Sequence, residues 1–210
     1  LRRRARERRR GARRHGLQGP ARAVRTARRR AVRGGELRGA GDALDRTHQF
    51  CGACAHPTRP HDTARARVCT NPSCLLEHYP RLSPAIIVAV ERDDEILLAR
   101  SPHFPPGIYS VLAGFVDPGE SAEQSVLREV FEETAIRVKN VRYFGSQPWP
   151  FPHSLMLGFQ ADYESGDVSP QAGEIEDARF YRADALPKTF PGNVSIAQWL
   201  LHDFLGRQRT

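Results

Sequence analysis

The first 48 residues limit the fold more than any motif, because they cannot contribute to a core. They hold 17 Arg and no Lys against four acids (Glu7, Glu36, Asp42, Asp45), a balance of +13, and contain no Ile, Phe, Trp, Tyr or Met. Four Leu and two Val cannot bury enough apolar surface to offset an ordering entropy of about 1–2 kcal/mol per residue. A disordered basic segment is expected. It reads as a phosphate-neutralising arm for RNA, as a solvated extension, or, since the chain opens on Leu1 rather than Met, as sequence outside the working protein. The folded part is therefore built from the other 162 residues, which carry 15 basic and 20 acidic side chains.

No stretch approaches the length of apolar sequence that a membrane-spanning helix requires. The first thirty residues lack the apolar run of a secretory signal, although Arg-rich, acid-poor starts also occur in transit peptides. Four cysteines in 210 residues are too few for a disulfide scaffold. A soluble, cytoplasmic enzyme or binding protein with no membrane partner is expected.

The cysteines come in two close pairs. Cys51-Gly-Ala-Cys54 is followed after fourteen residues by Cys69 and after four more by Cys74. Two such turns bring four soft thiolates to one tetrahedral Zn²⁺; the alternative is two disulfides or four free thiols. His56 and His61 lie between the pairs, but four sulfurs already fill the shell, so both read as surface side chains. A module this small depends on metal for its fold.

Downstream, Pro84 to Glu91 is a β-branched apolar run that reads as a buried strand. Asp93-Asp94 reads as a turn, and Glu95 to Arg100 as the returning strand. Ile108 to Ala113 is a third strand candidate, ending at Gly114. A turn-rich loop through Glu120 leads to Ser121, a plausible N-cap, and a helix over Ala122 to Thr134 with Val126, Leu127, Val130 and Phe131 as its apolar stripe. Glu129, Glu132 and Glu133 fall within an arc of about 100° on that helix. Like charges so placed repel by roughly a few tenths of a kcal/mol per pair, a penalty that Mg²⁺ or Mn²⁺ removes while bridging to phosphate oxygens. Arg128 is placed to pair with one carboxylate and fix its rotamer. Taken alone, the cluster reads better as an ordinary solvated glutamate face.

Gly114, Glu120 and Arg128-Glu129-Val130-Phe131-Glu132-Glu133-Thr134-Ala135-Ile136 together resemble the Nudix box, G-x5-E-x7-R-E-U-x-E-E-x-G-U with U aliphatic. Ala135 stands where that pattern has Gly. Ten residues on, Ser146-Gln147-Pro148-Trp149-Pro150-Phe151-Pro152-His153-Ser154 matches S-Q-P-W-P-F-P-x-S. That string is the signature of the NADH pyrophosphatase branch, which also carries a four-cysteine ribbon upstream. Prolines alternating with aromatics hold flat rings at fixed spacing, suited to stacking on a planar base.

The resemblance covers roughly Phe50 to Phe204 and implies an α+β fold: a Nudix α/β/α sandwich over 81–210, a zinc ribbon over 49–80 and the disordered segment over 1–48. It implies structural Zn²⁺ on Cys51, Cys54, Cys69 and Cys74. Catalytic Mg²⁺ or Mn²⁺ would sit on Glu129, Glu133, the Ala113 carbonyl and a glutamate after the sheet, with Glu132 nearby. Glu174 matches that glutamate best, with Glu176 and Asp177 beside it. Glu133 would activate water. Phe115, Tyr79, Ala197 and the stretch Gln147-Pro148-Trp149-Pro150-Phe151-Pro152-His153-Ser154 would contact substrate, although His153 occupies the variable position and reads as a bystander. The activity implied is hydrolysis of NADH or NAD to AMP and nicotinamide mononucleotide, and removal of NAD caps from RNA, by a homodimer. An ADP-ribose or general nucleoside-diphosphate hydrolase is the alternative of the same class; a non-catalytic zinc-ribbon RNA-binding protein is that of another. Two departures stand out: the family has a folded domain before the ribbon, which residues 1–48 cannot form, and Ala64 replaces a ribbon-loop glutamate.

Overall fold

The structure, a computed structural model, describes residues 43–208. Most of the basic segment thus lies outside the described residues, but its last six do not behave as expected. Residues 43–47 form a helical turn whose Leu44 is only 5% exposed. Arg67 pins this turn to the ribbon: Nη1 meets Asp45 at 2.7 Å and Nε donates to the His48 carbonyl at 3.1 Å. The ordered ribbon therefore begins at least six residues before the expected boundary at 49. One buried leucine and one well-placed guanidinium outweigh an Arg-rich composition.

The ribbon itself is a three-stranded antiparallel sheet in the order β1 (Thr58–Pro60), β2 (Arg67–Cys69), β3 (Glu77–His78). The larger sheet contains β4 (Ser83–Arg92), β5 (Glu95–Arg100), β6 (Leu112–Phe115), β7 (Arg137–Trp149), β8 (Ser154–Ser165) and β9 (Asp177–Arg182). Its order is β7-β8-β4-β5-β9, with β6 also on β4. Only β4 and β8 are parallel; the other pairs are antiparallel.

Strand β4 lies at the centre, and its Ala85 to Val90 are all buried, as an apolar run covered on both faces must be. Successive side chains alternate between the faces. Ile86, Val88 and Val90 meet the helix α1 (Ala122–Thr134) through Val126 and Val130. Ile87 and Ala89 meet α2 (Ile196–Arg207) through Ile196, Leu200 and Phe204. The result is a sheet between two helices. No described helix is long and apolar enough to cross a membrane.

Three sequence expectations need adjusting. The strand expected over 108–113 changes partner midway: Ser110 exchanges both backbone bonds with Ala99 of β5, and only then does the chain cross to β4 as β6, running on through Gly114 to Phe115. Asn193 to Phe204 reads by sequence as the closing helix; in the structure that helix begins at Ile196, because Ser195 is its N-cap, and runs to Arg207. The apolar stripe of α1 is narrower than expected. Val126 and Val130 are fully buried, whereas Leu127 and Phe131 stay exposed, with the Arg137 guanidinium 4.9 Å above the Phe131 ring.

Helix α1 starts as its sequence dictates. Ser121 caps it and Gln124 returns the bond to the Ser121 N–H at 2.7 Å. It ends on Ala135 at φ 60°, the left-handed region, with the Ala135 N–H on the Phe131 carbonyl at 2.8 Å. A side chain with Cβ is strained there. Replacing Ala135 by Gly should raise unfolding free energy by about 1 kcal/mol in urea denaturation.

Candidate active site and zinc ribbon

The site is assembled where β6 hands over to α1. Gly114 lies opposite Ile86 on β4, and a Cβ built on it would sit 1.9 Å from the Glu129 carboxyl carbon. Only hydrogen fits, so the motif glycine is a steric requirement of the Glu129 side chain.

Arg128 organises the acidic face. Its Nε and Nη2 grip Glu120 at 3.0 and 2.5 Å, while Nη1 reaches both Glu129 and Glu132 at 3.0 Å. Nη2 also donates to the Phe115 carbonyl at 2.9 Å. Arg128, with the Asp117 N–H bound to the same carboxylate, holds Glu120 down to about 2. Glu120 thus acts as the anchor of Arg128, a role that its motif position alone does not reveal.

Glu133 lies outside the reach of this arginine. It is 9% exposed, and its Oε2 is buried without a hydrogen-bond partner. Burial, reinforced by the charges of Glu129, Glu174 and Glu132, pushes its carboxyl up to about 8. Burial also raises Glu129, against the pull of Arg128. A buried, unpartnered carboxylate oxygen beside further carboxylates and a glycine-lined strand suits a divalent cation with its water; the glutamate oxygens are not drawn together within 4.8 Å as the cysteine sulfurs are, so an ion would have to gather them.

The three acids expected after the sheet lie instead between β8 and β9 and at the first residue of β9; Glu176 is held by Arg100 at 2.7 Å, and Asp177 by the Tyr109 hydroxyl at 2.8 Å and Arg179 at 3.0 Å. Glu174 has no such partner among the described residues, and its charge acts on Glu129 and Glu133.

The aromatic signature forms the end of β7 and the hairpin turn into β8, where Trp149 pairs with Ser154 and Pro148 with Leu155. The Trp149 and Phe151 rings stand edge to face at 5.5 Å. Phe151 is 73% exposed, Pro150 and Pro152 flank it, and the Phe151–Pro152 bond is cis. Phe115 is likewise exposed, at the end of β6. Ser154 is buried.

Other signature residues are turned to the scaffold. The Gln147 amide accepts from the Ile196 N–H and donates to the Val194 carbonyl, both at 2.7 Å. This bond pair ties the hairpin strand to the start of α2, where Ala197 is packed against the core. The His153 ring lies 3.0 Å from the Ser83 hydroxyl, and its carbonyl accepts the Ser83 N–H. The Tyr79 hydroxyl binds Glu77 of its own chain.

In the ribbon, the four cysteine sulfurs lie within 4.8 Å of one another and are not joined as disulfides. Cys54 and Cys69 Sγ are 3.4 Å apart, and Cys51 and Cys74 Sγ 3.8 Å. A Zn–S bond of about 2.3 Å gives a tetrahedron with edges of about 3.8 Å, so the cluster fits zinc. The histidines face elsewhere: His56 towards the Cys54 carbonyl at 3.1 Å, and His61 towards Glu77 at 3.5 Å and the Thr63 and Ala64 N–H groups.

Comparison with known proteins agrees with this geometry. The NUDIX domain family matches residues 81–200, more than half of the chain. The chain belongs to the Nudix family. The NADH pyrophosphatase zinc ribbon domain matches residues 46–79, beginning inside the segment that composition alone assigned to disorder. Over 163 residues, 78% of the chain, it is 57% identical to a protein of Pseudomonas syringae pv. syringae named NAD-capped RNA hydrolase NudC. It is 54% identical to a protein of that name from Chromobacterium violaceum. The match covers 58% and 60% of those two proteins, so the chain aligns with under two thirds of their length. Among solved structures, a Nudix hydrolase from Nitrosomonas europaea superposes with a TM-score of 0.63 at 22% identity, over 77% of this chain and 92% of that one. That likeness establishes the Nudix fold.

Two measurements check the site. Gly114→Ala should displace the Glu129 carboxylate and weaken Mn²⁺ binding about tenfold or more by titration calorimetry, with an unchanged far-UV spectrum. In metal-free protein, Glu133 ionises near 8 when folded, against an ordinary value of 4.5. Its contribution to stability is therefore complete below about 4.5 and is lost as pH rises towards 8. The melting temperature of the metal-free chain should fall across that window, and Glu133→Gln should flatten the fall.

Proposed function

We propose that this Nudix chain hydrolyses the pyrophosphate of NADH or NAD to AMP and nicotinamide mononucleotide, and cleaves the same linkage where NAD caps an RNA 5′ end. The observation that carries this is the buried, unpartnered Oε2 of Glu133 among Glu129, Glu132 and Glu174. The ribbon family, the aromatic hairpin and the names of the relatives support the choice of substrate.

In this reading residues 43–80 are the zinc ribbon, with one structural Zn²⁺ on Cys51, Cys54, Cys69 and Cys74, and 81–210 the hydrolase domain. Glu129, Glu133, Glu174 and the Ala113 carbonyl hold Mg²⁺ or Mn²⁺, which when bound offsets charge on the phosphate oxygens and acidifies water. Arg128 keeps Glu129 and Glu132 aimed at the site. Glu133 takes the proton of the attacking water; the water oxygen bonds to phosphorus as the bridging P–O bond breaks. Phe115 and Phe151 offer exposed rings, and the half-buried Trp149 a partly open one, to base and nicotinamide. Pro148, Pro150 and Pro152 stiffen the hairpin, and Ala197 borders it. Five large apolar side chains of the ribbon and its linker (Phe50, Leu75, Leu76, Tyr79, Leu82) are 44–64% exposed. They support a cytoplasmic homodimer in which Tyr79 serves the partner's site.

Incubation with Mn²⁺ and NADH should yield AMP and reduced nicotinamide mononucleotide, separated by chromatography. Glu133→Gln should lose at least about two orders of magnitude in rate. Faster turnover of ADP-ribose than of NADH would replace this substrate assignment with the broader nucleoside-diphosphate one.

A further inference from the structure

The turn bearing Glu174 is tied at both ends. At its start, the Ser169 N–H donates to the Thr134 carbonyl and the Gln171 N–H to that of Glu133, both at 2.9 Å, so it is strapped to the last turn of α1. In its middle, the Ile175 N–H bonds to the Gln171 carbonyl at 3.0 Å, and the Ile175 side chain is buried in the α1-side core. Its far end depends on one residue, Arg100, the last of β5. The Arg100 carbonyl accepts the Glu176 N–H at 2.8 Å, and its Nε meets the Glu176 carboxylate at 2.7 Å. The same guanidinium donates through Nη1 to the carbonyls of Phe104 at 3.3 Å and Pro105 at 2.9 Å, in the loop that follows β5. The Arg100 side chain is 15% exposed.

Three acids fall within four positions here, and among the described residues only Glu174 is without a side-chain partner, while its charge acts on Glu129 and Glu133. Asp177 is occupied by Tyr109 and Arg179, and Glu176 by Arg100. We propose that Arg100 is a positioning residue for the divalent-metal site: it withholds Glu176 from the acidic cluster and fixes the turn so that Glu174 is presented to Glu129 and Glu133. This rests on the metal reading given above. The planar fork of arginine suits the task, because it binds a carboxylate and two carbonyls in fixed directions, whereas a lysine ammonium is a single compact charge.

The test uses the full chain, with Mn²⁺ titrated by calorimetry and amide exchange measured without metal. Arg100→Gln should weaken Mn²⁺ binding about 10–100-fold, the usual scale for a group supporting a metal ligand. It should also speed exchange at Ile175 and Glu176, and Arg100→Lys should fall between. Glu176→Gln, which leaves Arg100 in place, should act in the same direction and serves if Arg100→Gln fails to fold. The double variant should bind no more weakly than the weaker single one, because both changes break one interaction. Wild-type affinity in both single variants, alongside weakened binding in Glu174→Gln, overturns the role of Arg100 alone. Wild-type affinity in Glu174→Gln overturns the metal reading of this turn, and the proposal with it.

Discussion

The guanidinium of Arg128 is shared by Glu120, Glu129 and Glu132, and the charge balance of the site follows from which acids it reaches. One cation pairs with three carboxylates at close range: it holds Glu120 well down, while at Glu129 its pull works against burial. Glu133, one turn from Glu129 but turned inward, receives none of that compensation. In the absence of metal the cheaper state of a buried, uncompensated carboxyl is the protonated one. The helix therefore carries carboxylates paired with Arg128 and, beside them, an unpaired one that a divalent charge would draw into its ionised form. In the proposed pyrophosphate hydrolysis, that asymmetry would let one carboxylate both hold metal and accept a proton from water.

The sandwich keeps this arrangement in register. Strand β4 is buried on both faces, so α1 and α2 are each fixed to it through alternate side chains. Strand β6 leaves β5 for β4 just before the site, which brings the bare backbone of Gly114 against Glu129. On the opposite face two glutamines hold the approach to α2: Gln147 from β7, and the buried Gln198, whose amide takes the Phe190 carbonyl and the Val194 N–H. The exposed rings of the hairpin are thereby attached to a rigid frame.

Much of this was legible beforehand. The spacing of the cysteines, the β-branched run at Pro84, the Ser121 cap and the arc of Glu129, Glu132 and Glu133 each follow from local chemistry, and the remaining positions of the box from the family resemblance. Structure and expectation part where a residue's partner lies far along the chain. Gln147 belongs to a signature associated with substrate, yet its amide is spent on residues 194 and 196. Leu127 and Phe131 fit a helical stripe by periodicity, but the buried face of the helix runs through Ser125, Val126, Val130, Glu133 and Thr134 and leaves both outside it. Residues 43–48 look unable to fold until Arg67 is placed beside them.

The order of residues by itself determined which groups are present and which share a turn or a helix face: four thiolates in two pairs, three glutamates on one arc, a glycine ahead of them. These follow from the fixed rise and rotation of the backbone, which need no distant contact. Tertiary structure alone decided that Glu133 is the desolvated carboxylate, that Glu176 is taken up by Arg100 and Asp177 by Tyr109 and Arg179, and that Glu120 is the anchor of Arg128. Burial and charge pairing depend on what packs against a side chain from elsewhere, and those neighbours are chosen only when sheet and helices close on one another.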